Sequence, residues 1–264
     1  MSYETVLYET HGRVALITLN RPARMNAWTT QLRDEFLAAV ATANGDRDIG
    51  AIVVTGAGRG FCAGADIDDT FRKQIDGDIE DDFVTGEAPD WVGTIRDAKP
   101  IIAAINGPSI GVGLTMTLSF DYIMASDRAR FSCAFVKMGV VTELASSHFL
   151  VQRMGWGKAS EFALSARMIE AEEAVALGLA DRMVPHDNLL DEALAVAGAI
   201  AENPARQLHM VKQLLTKTGT ETDLGLVTRR EFKMLAQAYK TPEHKEAVAA
   251  FLEKRPPDFR AVEE

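Results

Sequence analysis

The groups in this chain with the most chemical potential are main-chain ones, held in two glycine-rich turns. The first runs Gly58-Arg59-Gly60-Phe61-Cys62-Ala63-Gly64-Ala65-Asp66-Ile67, and the second Asn106-Gly107-Pro108-Ser109-Ile110-Gly111-Val112-Gly113. Each follows a short apolar run that reads as a buried strand, Ala51-Ile52-Val53-Val54 and Ile101-Ile102-Ala103-Ala104-Ile105, and each leads towards a helix. Two such strand-to-helix turns side by side can aim two backbone N–H groups at one point. That geometry stabilises negative charge developing on a carbonyl oxygen.

Side chains offer fewer candidates. Cys62 lies in the first turn, but no His-bearing motif stands beside it to act as its base. Together with Cys133 it reads as a reduced thiol of a cytoplasmic protein. His11, His148, His186, His209 and His244 show no metal-ligand spacing and read as structural or surface residues, so no metal site is expected.

The elements that must position the turns follow from periodicity. Residues 5–20 alternate about a His11-Gly12 turn and predict a β-hairpin. Thr29 or Thr30 can cap a helix running to about Ala43, with Leu32, Phe36, Leu37 and Val40 on one face. Trp91, Val92 and Ile95 fit another helix. Leu114–Phe120 predicts a buried helix, and Tyr122–Ala125 and Ala129–Ala134 predict strands. Helices are expected at Glu143–Met154, Lys158–Leu164 and Ala171–Leu177, then a strand at Arg182–Val184. From Leu189 nearly everything reads as helix, with breaks at Asn203-Pro204 and near Thr218-Gly219-Thr220. The layout predicts an α/β core over residues 1–186 and a helical C-terminal region over 187–264, whose many apolar positions suit packing against another subunit. Residues 68–90 stand apart: Asp68, Asp69, Asp76, Asp78, Glu80, Asp81 and Asp82 make them strongly acidic, as either a lid over the site or a solvated linker.

Bulk properties narrow the functional classes. A chain of 264 residues, 47% hydrophobic and 25% charged, has the composition of an ordinary globular protein. A net charge of −10 disfavours wholesale nucleic-acid binding, yet leaves room for a phosphorylated small molecule in a local basic pocket. Apolar runs such as Ala193–Ala201 are too short to span a bilayer, so no membrane association is expected. Met1-Ser2-Tyr3-Glu4-Thr5 has neither a basic nor an apolar leader pattern, and Ala261-Val262-Glu263-Glu264 is not a peroxisomal signal. The expected setting is a bacterial cytoplasm.

Taken in order, these segments resemble the crotonase superfamily, the enoyl-CoA hydratase/isomerase family. The resemblance is carried by Leu19-Asn20-Arg21-Pro22-Ala23-Arg24-Met25-Asn26-Ala27, Gly60-Phe61-Cys62-Ala63-Gly64-Ala65-Asp66-Ile67, Asn106-Gly107-Pro108, and Phe120-Asp121-Tyr122-Ile123-Met124-Ala125-Ser126-Asp127. Ala174-Val175-Ala176-Leu177-Gly178-Leu179-Ala180 and Phe251-Leu252-Glu253-Lys254-Arg255-Pro256-Pro257 complete it. It implies an α/β spiral of ββα units with a helical trimerisation region, in homotrimers or homohexamers. It implies an acyl-CoA thioester substrate, with coenzyme A as part of that substrate and no separate cofactor.

By position, the resemblance makes the Ala65 and Val112 N–H groups the oxyanion donors; many relatives have glycine where Val112 stands. Arg24, Met25, Ala27, Ala63, Asp66 and Ile67 match segments that line coenzyme A, with Arg24 a candidate for its phosphates. Phe251 and Lys254 match a C-terminal segment that reaches a neighbouring subunit's nucleotide. Hydratases of the family use two glutamates; here those positions fall at Thr115 and Phe135, which line the acyl pocket and cannot exchange a proton with water. One carboxylate remains nearby, Glu143, at the position of the catalytic glutamate in peroxisomal-type Δ3,Δ2-enoyl-CoA isomerases. The expected reaction is double-bond migration with Glu143 as single acid/base, its basicity raised by Phe135, Val140, Val141 and Leu144. The alternatives are a hydratase, lyase or hydrolase working through Glu143, and a non-catalytic binding protein. RNA-binding members carry a lysine-rich first helix, whereas this one reads Leu32-Arg33-Asp34-Glu35-Phe36.

Overall fold

The computed structural model describes residues 3–72 and 88–262, and the fold is built on a sheet whose central strands are apolar on both faces. The strands are β1 (Val6–His11), β2 (Val14–Leu19), β3 (Ala51–Gly56), β4 (Ile101–Ile105), β5 (Pro108–Ile110), β6 (Tyr122–Ser126), β7 (Arg130–Ser132), β8 (Ile169–Glu170) and β9 (Arg182–Val184). The helices are α1 (Thr30–Gly45), α2 (Trp91–Asp97), α3 (Val112–Thr115), α4 (Ser146–Met154), α5 (Trp156–Ser165), α6 (Ala171–Leu177), α7 (Leu189–Ala201), α8 (Ala205–Thr218), α9 (Leu224–Ala238) and α10 (Pro242–Glu253).

β1 and β2 form the expected hairpin, paired from Val6↔Leu19 to His11↔Val14. The large sheet runs β1-β2-β3-β4-β6-β9 and is parallel from β2 onward; β5-β7-β8 form a small second sheet. Side chains alternate across the large sheet. Ala15, Ile17, Ile52, Val54 and Ala103 face the core shared with Leu32, Phe36 and Val40 of α1. Leu16, Val53, Ile102 and Ala104 face the other way, against Ala193, Ala197 and Ala201 of α7. The sheet is therefore covered on both faces, as its continuous apolar strands require. α7 falls within the region 187–264 that the sequence sets apart as helical, and its packing against β2, β3 and β4 makes it part of the sheet's cover. Thr29 caps α1 by accepting the Leu32 N–H at 3.2 Å.

Three expectations need correction. Leu114–Phe120 is not one helix: α3 ends at Thr115 and turns follow, where Thr117 and Ser119 hydroxyls bond carbonyls three residues back. The strand expected at Ala129–Ala134 is only Arg130–Ser132, and Ala134–Met138 forms a 3-10 helix. The helix expected from Glu143 begins at Ser146, because Leu144 and Ala145 take left-handed backbone angles that a helix cannot contain. Of the acidic stretch, residues 67–72 form a π-helical turn, and 73–87, with the lid or linker expected there, lie outside the described residues. Among the described residues no helix is long and apolar enough to cross a membrane.

Among the C-terminal helices, α8 is tied to the sheet by a polar cluster. Asp121, just before β6, accepts the Ile101 N–H at 2.8 Å, Lys212 Nζ at 2.8 Å and Arg96 Nη1 at 2.9 Å. Lys212, on α8, is buried and also donates to the Lys99 carbonyl; desolvation pushes its basicity below the ordinary lysine value. Removing one partner of such a pair strands the other charge in the interior. Asp121→Ala is therefore expected to lower unfolding free energy by roughly 3–5 kcal/mol, and Lys212→Met by much less, as read by urea denaturation. The thiols of Cys62 and Cys133 are wholly buried, and burial pushes them up to about 12 and about 11. Below those values they hold their protons. At pH 8 the native protein is expected to resist alkylation by iodoacetamide for hours, while the denatured chain takes two labels, counted by mass spectrometry.

Candidate active site

β3, β4, β6 and β9 all end at one edge of the sheet, and the two glycine-rich turns leave from that edge. Such an edge is where open α/β sheets place ligands. Two buried asparagines organise the first turn. Asn106 accepts the Gly56 N–H through Oδ1 at 3.2 Å and donates through Nδ2 to the Gly58 carbonyl at 3.0 Å. Asn26 accepts the Arg21 N–H at 2.8 Å and donates to the carbonyls of Ala57 and Gly60 at 3.0 and 2.9 Å. Asn26 itself stands at φ 55°, a left-handed conformation asparagine tolerates better than most side chains.

The two turns are then joined laterally as short parallel bridges. Cys62 pairs with Ser109: its N–H donates to the Pro108 carbonyl, and its own carbonyl accepts the Ile110 N–H, both at 3.0 Å. One step along, Trp28 pairs with Ala65: the Trp28 N–H donates to the Gly64 carbonyl at 2.8 Å, and the Asp66 N–H to the Trp28 carbonyl at 2.9 Å. In a parallel bridge the flanking residues make the bonds, so the central residue's own N–H points the other way. The Ala65 N–H thus faces away from Trp28, towards the β5–α3 side.

That side is occupied by Gly111 and Val112. A Cβ built on Gly64, at φ +104°, would stand 3.2 Å from the Ile110 oxygen, and one on Gly111, at φ +54°, would stand 3.9 Å from Gly64 Cα. Glycine supplies the positive φ at both positions and the close approach at Gly64. Val112 opens α3, so its N–H has no partner within the helix. Among the described residues, neither the Ala65 nor the Val112 N–H finds an acceptor. Two unengaged donors therefore stand on adjoining turns, at the edge where the parallel strands end.

The structure brings most of the expected site residues to this place. Met25, Ala27, Ala63, Asp66 and Ile67 line the same two segments; the Ala63 N–H bonds the Met25 carbonyl at 3.0 Å. Arg24 is there too, but its Nη2 is engaged by Asp66 Oδ1 at 3.1 Å and Asp68 Oδ2 at 3.0 Å. Those two carboxylates hold its guanidinium above its usual basicity. Thr115 is fully buried, and its Oγ1 finds no hydrogen-bond partner among the described residues. Phe135 is buried against the core that also holds Cys62 and Leu114. Phe251 and Lys254 are held elsewhere in the chain. They end α10, whose following residues fold back through Arg255–Glu246 and pair Arg260 with Asp48, before the start of β3 and so at the opposite end of that strand from the turns.

Glu143 follows in the chain from a strand that ends beside the second turn. The Gly111 N–H bonds the Ser132 carbonyl at 3.0 Å, so β7 ends beside α3; the chain then passes Phe135 and Gly139 to Glu143. Glu143 is partly buried, and its carbonyl accepts the Ser146 N–H at 2.9 Å. The residue at the cap of α4 is Ala145, which has no capping side chain, so Glu143 is not in the first helical turn that its acidity suggested. Left-handed angles at Leu144 and Ala145, 52° and 55°, each cost about 1 kcal/mol or more in non-glycine residues. Of the apolar neighbours expected around Glu143, Leu144 packs on the core while Val140 and Val141 are exposed.

Residue-type patterns had no way to single out Arg21, Asn26 and Asn106. Their roles arise from bonds to carbonyls and carboxylates distant in sequence, and the only local signal is an asparagine at each turn.

The chain matches the family model described as enoyl-CoA hydratase/isomerase over residues 9–262. It is 37% identical to a protein named probable enoyl-CoA hydratase from Rhizobium meliloti, covering 98% of this chain and 99% of the relative. It is 31% identical to the 1,2-epoxyphenylacetyl-CoA isomerase of Escherichia coli, covering 97% and 98% of the two chains. The crystal structure of a probable enoyl-CoA hydratase/isomerase from Mycobacterium abscessus superposes with a TM-score of 0.82 at 32% identity, covering 98% of this chain and all of that one. With its mixed α/β architecture, the chain belongs to the enoyl-CoA hydratase/isomerase family of the crotonase superfamily, the acyl-CoA enzymes of this fold.

Proposed function

We propose that this enzyme is a Δ3,Δ2-enoyl-CoA isomerase in which Glu143 is the one acid/base. What supports this reading is that Thr115 and Phe135 stand at the positions that match the hydratase glutamates, while Glu143 lies on the segment between Met138 and α4, downstream of a strand that ends beside the second turn. The thioester oxygen would sit about 2.9 Å from each of the Ala65 and Val112 N–H groups. Glu143 removes a C2 proton from the 3-enoyl thioester, and the charge passes onto the oxygen as a dienolate. The same proton returns at C4, moving the double bond from C3–C4 to C2–C3. Each main-chain donor is worth roughly 3–4 kcal/mol to the enolate, because it is fixed before the charge appears. The cycle draws on no metal or redox cofactor; coenzyme A is the handle of the substrate, gripped along Met25, Ala27, Ala63, Asp66 and Ile67.

Phe251 and Lys254 fit a contact made across a subunit boundary, in a homotrimer or homohexamer of a cytoplasmic protein. Exposed apolar side chains on the C-terminal helices, among them Leu215, Leu224, Phe232 and Phe251, support that assembly. Hydration is the second reading, and the names of relatives such as the Rhizobium protein favour it. It would need a water activated by Glu143 alone.

An assay offering 3-enoyl-CoA and 2-enoyl-CoA separates the two. Double-bond migration is expected to exceed water addition, and Glu143→Gln to lower it by ~10²–10⁴-fold, with affinity for a saturated acyl-CoA unchanged. Full activity in that variant, or hydration as the faster reaction of the wild type, would contradict this reading.

A further inference from the structure

The Ala65 N–H is aimed by the two hydrogen bonds of the Trp28–Ala65 bridge, and one side chain grips a group on each segment of that bridge: the peptide carbonyl of Ala27 and the carboxylate of Asp66. Arg21 Nη1 donates to the Ala27 carbonyl, immediately before Trp28. Arg21 Nη2 donates to Asp66 Oδ2 at 3.0 Å, immediately after Ala65. The guanidinium thus spans the two segments whose pairing sets the direction of the Ala65 N–H. Arginine suits this position because its planar fork holds two acceptors in fixed relative places, which a lysine ammonium cannot do.

The grip is anchored on both sides. Arg21's own N–H donates to Asn26 Oδ1, and its carbonyl accepts the N–H groups of Arg24 and Asn26, so its backbone is fixed. Asp66 has only 3% of its side chain exposed and takes a second contact from Arg24. Arg24 is half-exposed and divides its contacts with Asp68, whereas Arg21 is largely buried and bridges the two segments directly.

We infer that Arg21 is a positioning residue: acting through Asp66 and Ala27, it fixes the orientation of the Ala65 N–H and so the strength of its bond to the thioester oxygen. The inference rests on the reading of Ala65 as an oxyanion donor. Arg21 touches no reacting atom, so its loss should weaken charge stabilisation rather than ground-state binding.

The test is isotope-edited infrared spectroscopy of a saturated acyl-CoA, labelled with 13C at the thioester carbonyl and bound to wild type, Arg21→Gln, Arg21→Lys and Asp66→Asn. The ligand is not turned over, so the readout is independent of Glu143 and of which reaction the enzyme performs. Wild type is expected to lower the carbonyl stretching frequency, and Arg21→Gln to lose much of that shift. The same variant should lose roughly 10–100-fold in kcat with KM changed less than threefold, as expected of a donor misaligned by a fraction of an ångström. Arg21→Lys, keeping charge but not the fork, should fall between, and melting temperatures identify any variant that fails to fold. A folded Arg21→Gln or Asp66→Asn with the wild-type carbonyl frequency and kcat would overturn the inference while leaving the oxyanion reading intact. An unshifted frequency in wild type itself would overturn that reading and the inference with it. A wild-type shift that depends on Arg21, in an enzyme that does not isomerise, would uphold the inference and reject the isomerase reading alone.

Discussion

The site depends on lateral pairing of two turns that neither turn can enforce alone. A backbone N–H left without an acceptor is costly in a protein interior, so chains normally satisfy it. Here two such groups stand on adjoining turns, beside main-chain groups of Cys62, Trp28 and Gly111 that are already committed. Cys62 spends its donor and acceptor on β5, and Trp28 spends its own on Gly64 and Asp66. Gly111 spends its N–H on Ser132. Ala65 and Val112 are among the donors left without an acceptor among the described residues. Preorganisation of this kind is useful in catalysis because the donors need no reorientation when charge develops.

The large sheet supplies the platform. Parallel strands bring their C-terminal ends to one edge, so β3 and β4 deliver both turns to the same neighbourhood before any side chain acts. Asn26 and Asn106 then convert proximity into register by bonding the carbonyls of residues 57, 58 and 60. The Asp121 cluster works at the other end of β4, where it bonds the Ile101 N–H and holds α8 to the sheet. Two polar devices therefore bracket one strand: one shapes the candidate site, and the other attaches α8.

The strands and the longer helices were legible in the sequence because their signal is local. Ile101–Ile105 is apolar at every position, and the Leu32, Phe36 and Val40 spacing admits only a helix. The two glycine-rich turns after β3 and β4 were legible as well, because clustered glycines after an apolar run mark a turn, whereas Ala65 and Val112 within them were named only through the family resemblance. Around Glu143 the sequence misleads at the helix boundary. An acidic residue before an apolar-periodic stretch signals a capped helix, but two left-handed residues intervene, and nothing in the side chains of Leu144 and Ala145 announces such angles. Arg21 was invisible for another reason: its partners, Ala27 and Asp66, gain meaning only once the Trp28–Ala65 bridge brings their segments together.

The central claim is that one thioester oxygen is held between the N–H groups of Ala65 and Val112 while Glu143 faces the acyl chain. A crystal structure with a non-hydrolysable 3-enoyl-CoA analogue bound tests it most directly. The account predicts the carbonyl oxygen at about 2.7–3.1 Å from both nitrogens, with the Glu143 carboxylate within about 3.5 Å of the atoms standing for C2 and C4. A carbonyl bound to neither nitrogen, or a Glu143 carboxylate turned away from the acyl chain, would contradict it.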